Sequence, residues 1–192
     1  YLFEKYKKQL EEKLGRKISF DEISSYVKQE FARKDGEEGA SGAGSAGFGN
    51  RKALIDMDAE VFSREDVQVK KEIDAFLKEE GVEVLRDDFS YFTLIYDSMV
   101  EKYKEVKEDI ERILGRQFTK LQMIGGGAKS EVLAARIAQK LQLNVKAGPY
   151  ESSALGNILL TLLYEKEVAS VNEGREKICE ASEVKYYRGN RI

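Results

Sequence analysis

The segment from Thr119 to Ala147 constrains this chain more than any other. Thr119 to Ile124 is a short apolar run ending in Gly125-Gly126-Gly127. Val132, Leu133, Ile137 and Leu141 then recur at helical spacing, and Leu143 to Ala147 forms a second short strand. A strand, a glycine turn, a helix and a strand in that order make an α/β unit, so the chain belongs to the α/β class.

The rest of the chain reads as helix. Leu2, Phe3, Tyr6, Leu10 and Leu14 fall on one face, and Gly15 stands where that helix would end. Ser19 with Glu22 has the spacing of a capping box, opening a helix to about Arg33 with Ile23, Val27 and Phe31 inward. Ser63 with Asp66 repeats the pattern for a helix to about Glu80, with Val69, Ile73, Phe76 and Leu77 as its apolar stripe before Gly81. From Ser90 to Leu114 a continuous stripe of Phe92, Tyr96, Met99, Tyr103, Val106, Ile110 and Ile113 predicts one long amphipathic helix, its aromatics in the core. Downstream, Gly148-Pro149 marks a turn, and Ala154 to about Tyr164 is apolar enough to be buried on several sides. Ser170 with Glu173 caps a last helix to about Ala181, and the polar tail from Lys185 to Ile192 is expected to fray.

Composition removes whole classes of chemistry. The chain has no His and a single Cys among 192 residues, which excludes zinc sites, Ser-His triads, Cys-His dyads and a disulfide framework. A net charge of −3 argues against a dedicated nucleic-acid binder, which needs a positive field to neutralise phosphates. No run reaches the roughly 18 apolar residues of a membrane span. Cys179 without a partner suits a reducing compartment, and the sequence opens on Tyr1 without a signal peptide, so the expectation is a soluble piece of a longer protein.

Between Asp35 and Asn50 the composition falls to Gly, Ser and Ala, which cannot offset its own ordering entropy, so a mobile loop is expected there. Within it, Gly42 to Gly47 spells GxGxxG, but no buried strand precedes it and no helix follows, so the dinucleotide reading is set aside. The triple glycine at 125–127 has the context the other lacks: it leaves an apolar strand and hands over to a helix N-terminus. That arrangement suits a phosphate or ribose platform and equally a tight turn packed against a neighbour. Gly156, inside a helix, is expected to permit close approach of another backbone or a ligand, packing being the favoured role. Asp56 and Asp58 form a pair of carboxylates without any sign of pKa tuning, and read as a loop cap rather than a base.

The stretch LQMIGGGAKSEVLAARIAQKLQLNVKAGPYESSALGN resembles the closing part of the second domain of FGGY-family carbohydrate kinases, most of all the rhamnulokinase branch. Gly125 to Ser130 is similar to the family's glycine-rich adenosine motif and Gly148 to Asn157 to its GPxEAxALGN segment. Leu54-Ile55-Asp56 and Arg175 to Tyr186 resemble family elements more loosely.

The resemblance implies the second domain of an actin-like, ribonuclease H-like ATPase fold, helix-rich with a partial mixed sheet, the chain being a partial C-terminal domain over 1–192. It further implies ATP and Mg²⁺, and γ-phosphoryl transfer to a ketose such as rhamnulose in a cleft against a missing N-terminal domain. The setting it implies is cytoplasmic, without membrane or nucleic-acid partners. Gly125, Gly126, Gly127, Ala128 and Ser130 would be the nucleotide-binding residues. No residue here takes the family's catalytic or metal-binding role. Where the family favours Asn, Gln and Asp, this chain has Ser130, Ala135 and Gln139. Since the catalytic half is lacking, the chain alone is expected to be inactive. The alternative is a noncatalytic, degenerate or redesigned kinase-like module that binds or scaffolds.

Overall fold

The computed structural model describes residues 2–40, 54–82, 85 and 87–189. The chain divides into two compact units, Tyr1–Glu105 and Val106–Ile192.

The first unit is helical. α1 (Leu2–Leu14) and α2 (Phe20–Ala40) are followed by a 3₁₀ turn (Glu60–Ser63), α3 (Val69–Glu79) and the start of α4 (Ser90–Leu114). Leu2, Tyr6, Leu10, Ile23, Val27 and Phe31 are all buried, as their helical spacing predicts. Aromatic rings fill the centre. Phe92 meets Phe3 and Tyr6 at centroid distances of 5.1 and 5.0 Å, the Tyr6 contact edge-on. Ser19 accepts a hydrogen bond from the Glu22 amide at 3.0 Å, as its capping pattern requires.

Three sequence expectations in the helical part of the chain are corrected. α2 runs to Ala40, so residues 35–40 are helix rather than loop. The remainder of that segment, the GxGxxG at 42–47 included, lies outside the described residues. Ser63 and Asp66 do not cap α3. That helix starts at Val69, and Gln9 of α1 supplies the cap: its Oε1 accepts from the Val69 amide at 3.0 Å while its Nε2 donates to the Val67 carbonyl at 2.6 Å. The apolar stripe of α4 is core only in its first half. Tyr91 to Ser98 are buried on every side, whereas Tyr103, Val106, Ile110 and Ile113 are exposed, uncovered by the described residues.

The second unit is built on a three-stranded mixed sheet in the order β1-β2-β3. β1 (Lys120–Met123) and β2 (Asn144–Ala147) are parallel, joined by α5 (Glu131–Leu141), and β3 (Lys185–Tyr187) runs antiparallel to β2. The parallel pair follows from the crossover helix, since parallel strands cannot be linked by a tight turn. Val145 and Ala147 are buried on the face where α5 packs along β2, together with Val132, Leu133, Ile137 and Leu141 of that helix.

The chain thus has a helix-rich α/β architecture. Two details depart from the sequence reading. The tail does not fray over Lys185 to Gly189: β3 pairs with β2, and the Gly189 amide donates to Leu143 O at 2.9 Å. α6 (Ser152–Tyr164), expected to be buried on several sides, has no buried residue. It packs against α7 (Val171–Ala181), and Ile158, Leu160 and Tyr164 point outward with exposures of 50, 65 and 83%. Ser170 caps α7 as read from the sequence, accepting from the Glu173 amide at 3.2 Å. No helix among the described residues is long and apolar enough to cross a membrane.

Candidate functional site

Because β1 and β2 are parallel, their C-terminal ends lie side by side, and both ends carry glycine turns. β1 leads through Ile124 to Gly125, whose φ of 73° and ψ of −164° fall in a region essentially restricted to glycine. Gly126–Lys129 then form a 3₁₀ turn, closed by amide-to-carbonyl bonds from Ala128 to Gly125 and from Ser130 to Gly127 at 3.1 and 3.2 Å. β2 leads into Gly148, at φ +108°, whose amide donates to Met123 O at 2.9 Å and so ties the second turn to the end of β1. The outer ends of the turns are also joined, Lys129 Nζ to Glu151 Oε1 at 3.3 Å, with the same ammonium 5.9 Å from the Tyr150 ring. In open α/β sheets the carboxyl ends of the strands are where ligands collect.

The space around these glycines bears on the two roles the sequence left open. A Cβ placed on Gly126 or Gly127 would meet no atom within 4 Å, so neither glycine is required by a packed neighbour. Gly148 is the reverse: a Cβ there would come within 2.6 Å of the Glu183 carbonyl oxygen. Gly156 also faces open space, so the packing role expected for it is not seen. The close-packed helical glycine is instead Gly174 of α7, which receives the Leu159 side chain of α6.

The other residues expected at a nucleotide are placed as follows. Ala128 is buried, so its side chain belongs to the core beneath the turn. Ser130 is the N-cap of α5, its hydroxyl accepting from the Leu133 amide at 3.3 Å. Ala135 and Gln139 are one helical turn apart on the exposed side of α5. Asp56 and Asp58 lie in the first unit, away from this turn in the sequence: Asp56 Oδ1 accepts from the Asp58 amide at 2.9 Å, and Asp58 pairs with Lys102 at 2.5 Å. That is a loop cap, as expected. Among the described residues no three His, Cys, Asp or Glu side chains are grouped to hold a metal ion.

No family model matches the chain. Among curated proteins, a rhamnulokinase of Halalkalibacterium halodurans is 28% identical over 136 residues, covering 71% of this chain and 29% of that protein. A rhamnulokinase of Klebsiella pneumoniae strain 342 is 33% identical over 107 residues, covering 56% of this chain and 22% of that protein. The chain is similar to rhamnulokinases. It spans less than a third of the length of these relatives. The rhamnulokinase similarity agrees with the resemblance carried by the two glycine segments, and its partial coverage fits a partial domain.

The signals that the sequence reading missed are tertiary. The Lys129–Glu151 clip and the Gly148–Met123 bond join segments separated by a whole helix. Only the parallel pairing of β1 and β2, implied by the crossover helix, hints that the two glycine segments meet.

Proposed function

We propose that this chain is the nucleotide-side part of a rhamnulokinase-like sugar kinase, corresponding to the distal portion of the second domain of an actin-like fold. The observation that carries the reading is the open turn at Gly125 to Gly127, set at the carboxyl end of a parallel strand and followed by a helix N-terminus. Backbone amides at such a terminus, reinforced by the helix dipole, suit the α-phosphate of ATP, and side-chain-free backbone at Gly126 and Gly127 admits the ribose. The exposed positions Ala135 and Gln139 of α5 would border adenine, with Ser130 holding the helix start in place rather than touching the ligand.

ATP supplies the transferable γ-phosphoryl group when bound. The residues of this chain orient it by its ribose and α-phosphate. Mg²⁺ in such a reaction takes only one or two carboxylates besides the ATP phosphates and water, so it would be held mainly by those phosphates, and no grouped acidic site for it stands among the described residues. The sugar, the acceptor base and the remaining phosphate contacts would come from the preceding part of a full-length kinase, which accords with the short share of the relatives that this chain spans.

The test is complementation. The chain is mixed with a separately expressed N-terminal portion of a rhamnulokinase, and ADP release is followed with rhamnulose. Turnover by the mixture and none by the chain alone is the expected result. Turnover by the chain alone refutes the division of labour, and absence of both nucleotide binding and complementation favours the noncatalytic module.

A further inference from the structure

The face of the sheet opposite α5 carries a charge pattern that the glycine turn does not explain. Side chains alternate between faces along a strand, so Lys120 and Gln122 of β1, Asn144 and Lys146 of β2, and Tyr186 of β3 share this second face. The register sets them in rows. Gln122 pairs with Lys146 and Lys146 with Tyr186, forming one row across all three strands. Lys120 pairs with Asn144, and the bond from the Gly189 amide to Leu143 O continues the β2–β3 register so that Arg188 stands opposite Asn144. The second row is therefore Lys120, Asn144, Arg188.

The result is a triangle of cations. Lys120 and Arg188 sit at the ends of one row, about 9–10 Å apart at the backbone from the strand spacing, and Lys146 sits in the middle of the other row, about 7 Å along the strand. These residues line an open-sided cavity of about 580 Å³, and no carboxylate is among its lining residues. Lys120, Lys146 and Arg188 make no ion pair among the described residues, in a chain with more acidic than basic side chains, and the one polar contact of Lys146 is to Cys179 Sγ at 3.3 Å. Tyr186 is 72% exposed beside them.

We propose that this sheet face binds a small phosphate monoester bearing hydroxyl groups, such as a sugar phosphate. The dianionic phosphate sits among Lys120, Lys146 and Arg188, which supply charge-assisted donors to its three terminal oxygens. The amides of Gln122 and Asn144 donate to and accept from the hydroxyls, and the Tyr186 ring covers the carbon face of the ligand. The cavity volume is that of a small-molecule site. A long polyanion is disfavoured, because the basic area is a single triangle rather than a track and the net charge of −3 repels phosphate beyond it.

The site is independent of the glycine-turn reading, and the test keeps the two apart. The whole chain is titrated by calorimetry with fructose 1-phosphate, inorganic phosphate and a 12-nucleotide single-stranded RNA, alongside Lys146→Met, Arg188→Gln and Gly126→Val variants checked for unchanged circular dichroism. Saturable binding of fructose 1-phosphate, tighter than inorganic phosphate, weakened about tenfold or more by Lys146→Met or Arg188→Gln and unaltered by Gly126→Val, is the expected outcome. If Lys146→Met fails to fold, Arg188→Gln, beyond the end of β3 and exposed, decides the matter. The proposal is overturned by no saturable binding, by affinity indifferent to both variants, by inorganic phosphate binding as tightly as the sugar phosphate, or by binding of the RNA alone.

Discussion

Replacing Gly126 with valine separates a glycine kept for a ligand from a glycine kept for the fold. On the side of the fold, the added Cβ meets nothing within 4 Å, and the residue is not in the left-handed region. The variant also loses less backbone entropy on folding than glycine does. The change in stability should therefore stay within about 1 kcal/mol, a shift of only a few degrees in the thermal midpoint. On the side of the ligand, three carbon atoms occupy the space through which ribose and α-phosphate would reach the backbone. Displacing a phosphate from one or two backbone amides forfeits charge-assisted hydrogen bonds of roughly 1.5–3 kcal/mol each, less whatever water recovers. A net loss of about 2–4 kcal/mol corresponds to a 30- to 1,000-fold rise in Kd. Calorimetric titration with ATP and ADP, paired with thermal unfolding followed by circular dichroism, reads both sides. Unchanged nucleotide affinity in the folded variant would refute the assignment of this turn to the nucleotide, and a variant that fails to fold would refute the claim that the space in front of Gly126 is free.

Two further expectations concern stability. Gly148→Ala places a methyl group against the Glu183 carbonyl, at a φ of +108° that side chains avoid, and should cost about 2–4 kcal/mol, read as a lower urea midpoint for the unit that holds the sheet; a loss under about 0.5 kcal/mol would show that the β2–β3 junction yields easily. The Glu11 carboxylate accepts from the Ile18 amide at 2.9 Å and is paired with Lys7 and Lys17, which lowers its pKa from an ordinary 4.5 to about 2. Its stabilisation is therefore complete above about pH 4.5 and is lost as the pH falls from there toward 2. The difference in thermal midpoint between the native chain and Glu11→Gln should shrink across that window, and a difference that stays constant from pH 6 to 2 would contradict the assigned contacts.

Local signals were legible and long-range ones were not. Helix ends at Gly15 and Gly81 and caps at Ser19 and Ser170 depend on neighbours a few residues away, and each stands where its pattern put it. The start of α3 was misread because its cap, Gln9, comes from another helix, about sixty residues earlier in the chain, and no spacing rule reaches so far. Periodicity told which face of α4 and α6 was apolar but not whether anything in this chain covers it, so Ile113 and Tyr164 were expected inside and are found outside. At the candidate site, the glycines and the strand-to-helix context were visible in order along the chain. What could not be seen was the empty space before Gly126 and the clip from Lys129 to Glu151, both products of two segments meeting.

The pairing of β3 with β2 has a consequence for self-association. A sheet grows by adding strands at unpaired edges, and the antiparallel Lys185–Tyr187 covers one side of β2, followed by Gly189, where any Cβ would strike backbone atoms of Ala138, Gln142 and Leu143. The four-residue β1, which carries Lys120 at its start, presents the other edge and is a poor template. Removal of β3 would move that edge of the sheet to Asn144–Ala147, whose Val145 and Ala147 are apolar, exchanging a three-residue edge for a longer and more apolar one. The short β3 thus leaves the sheet a poorer template for strand addition than β2 would be.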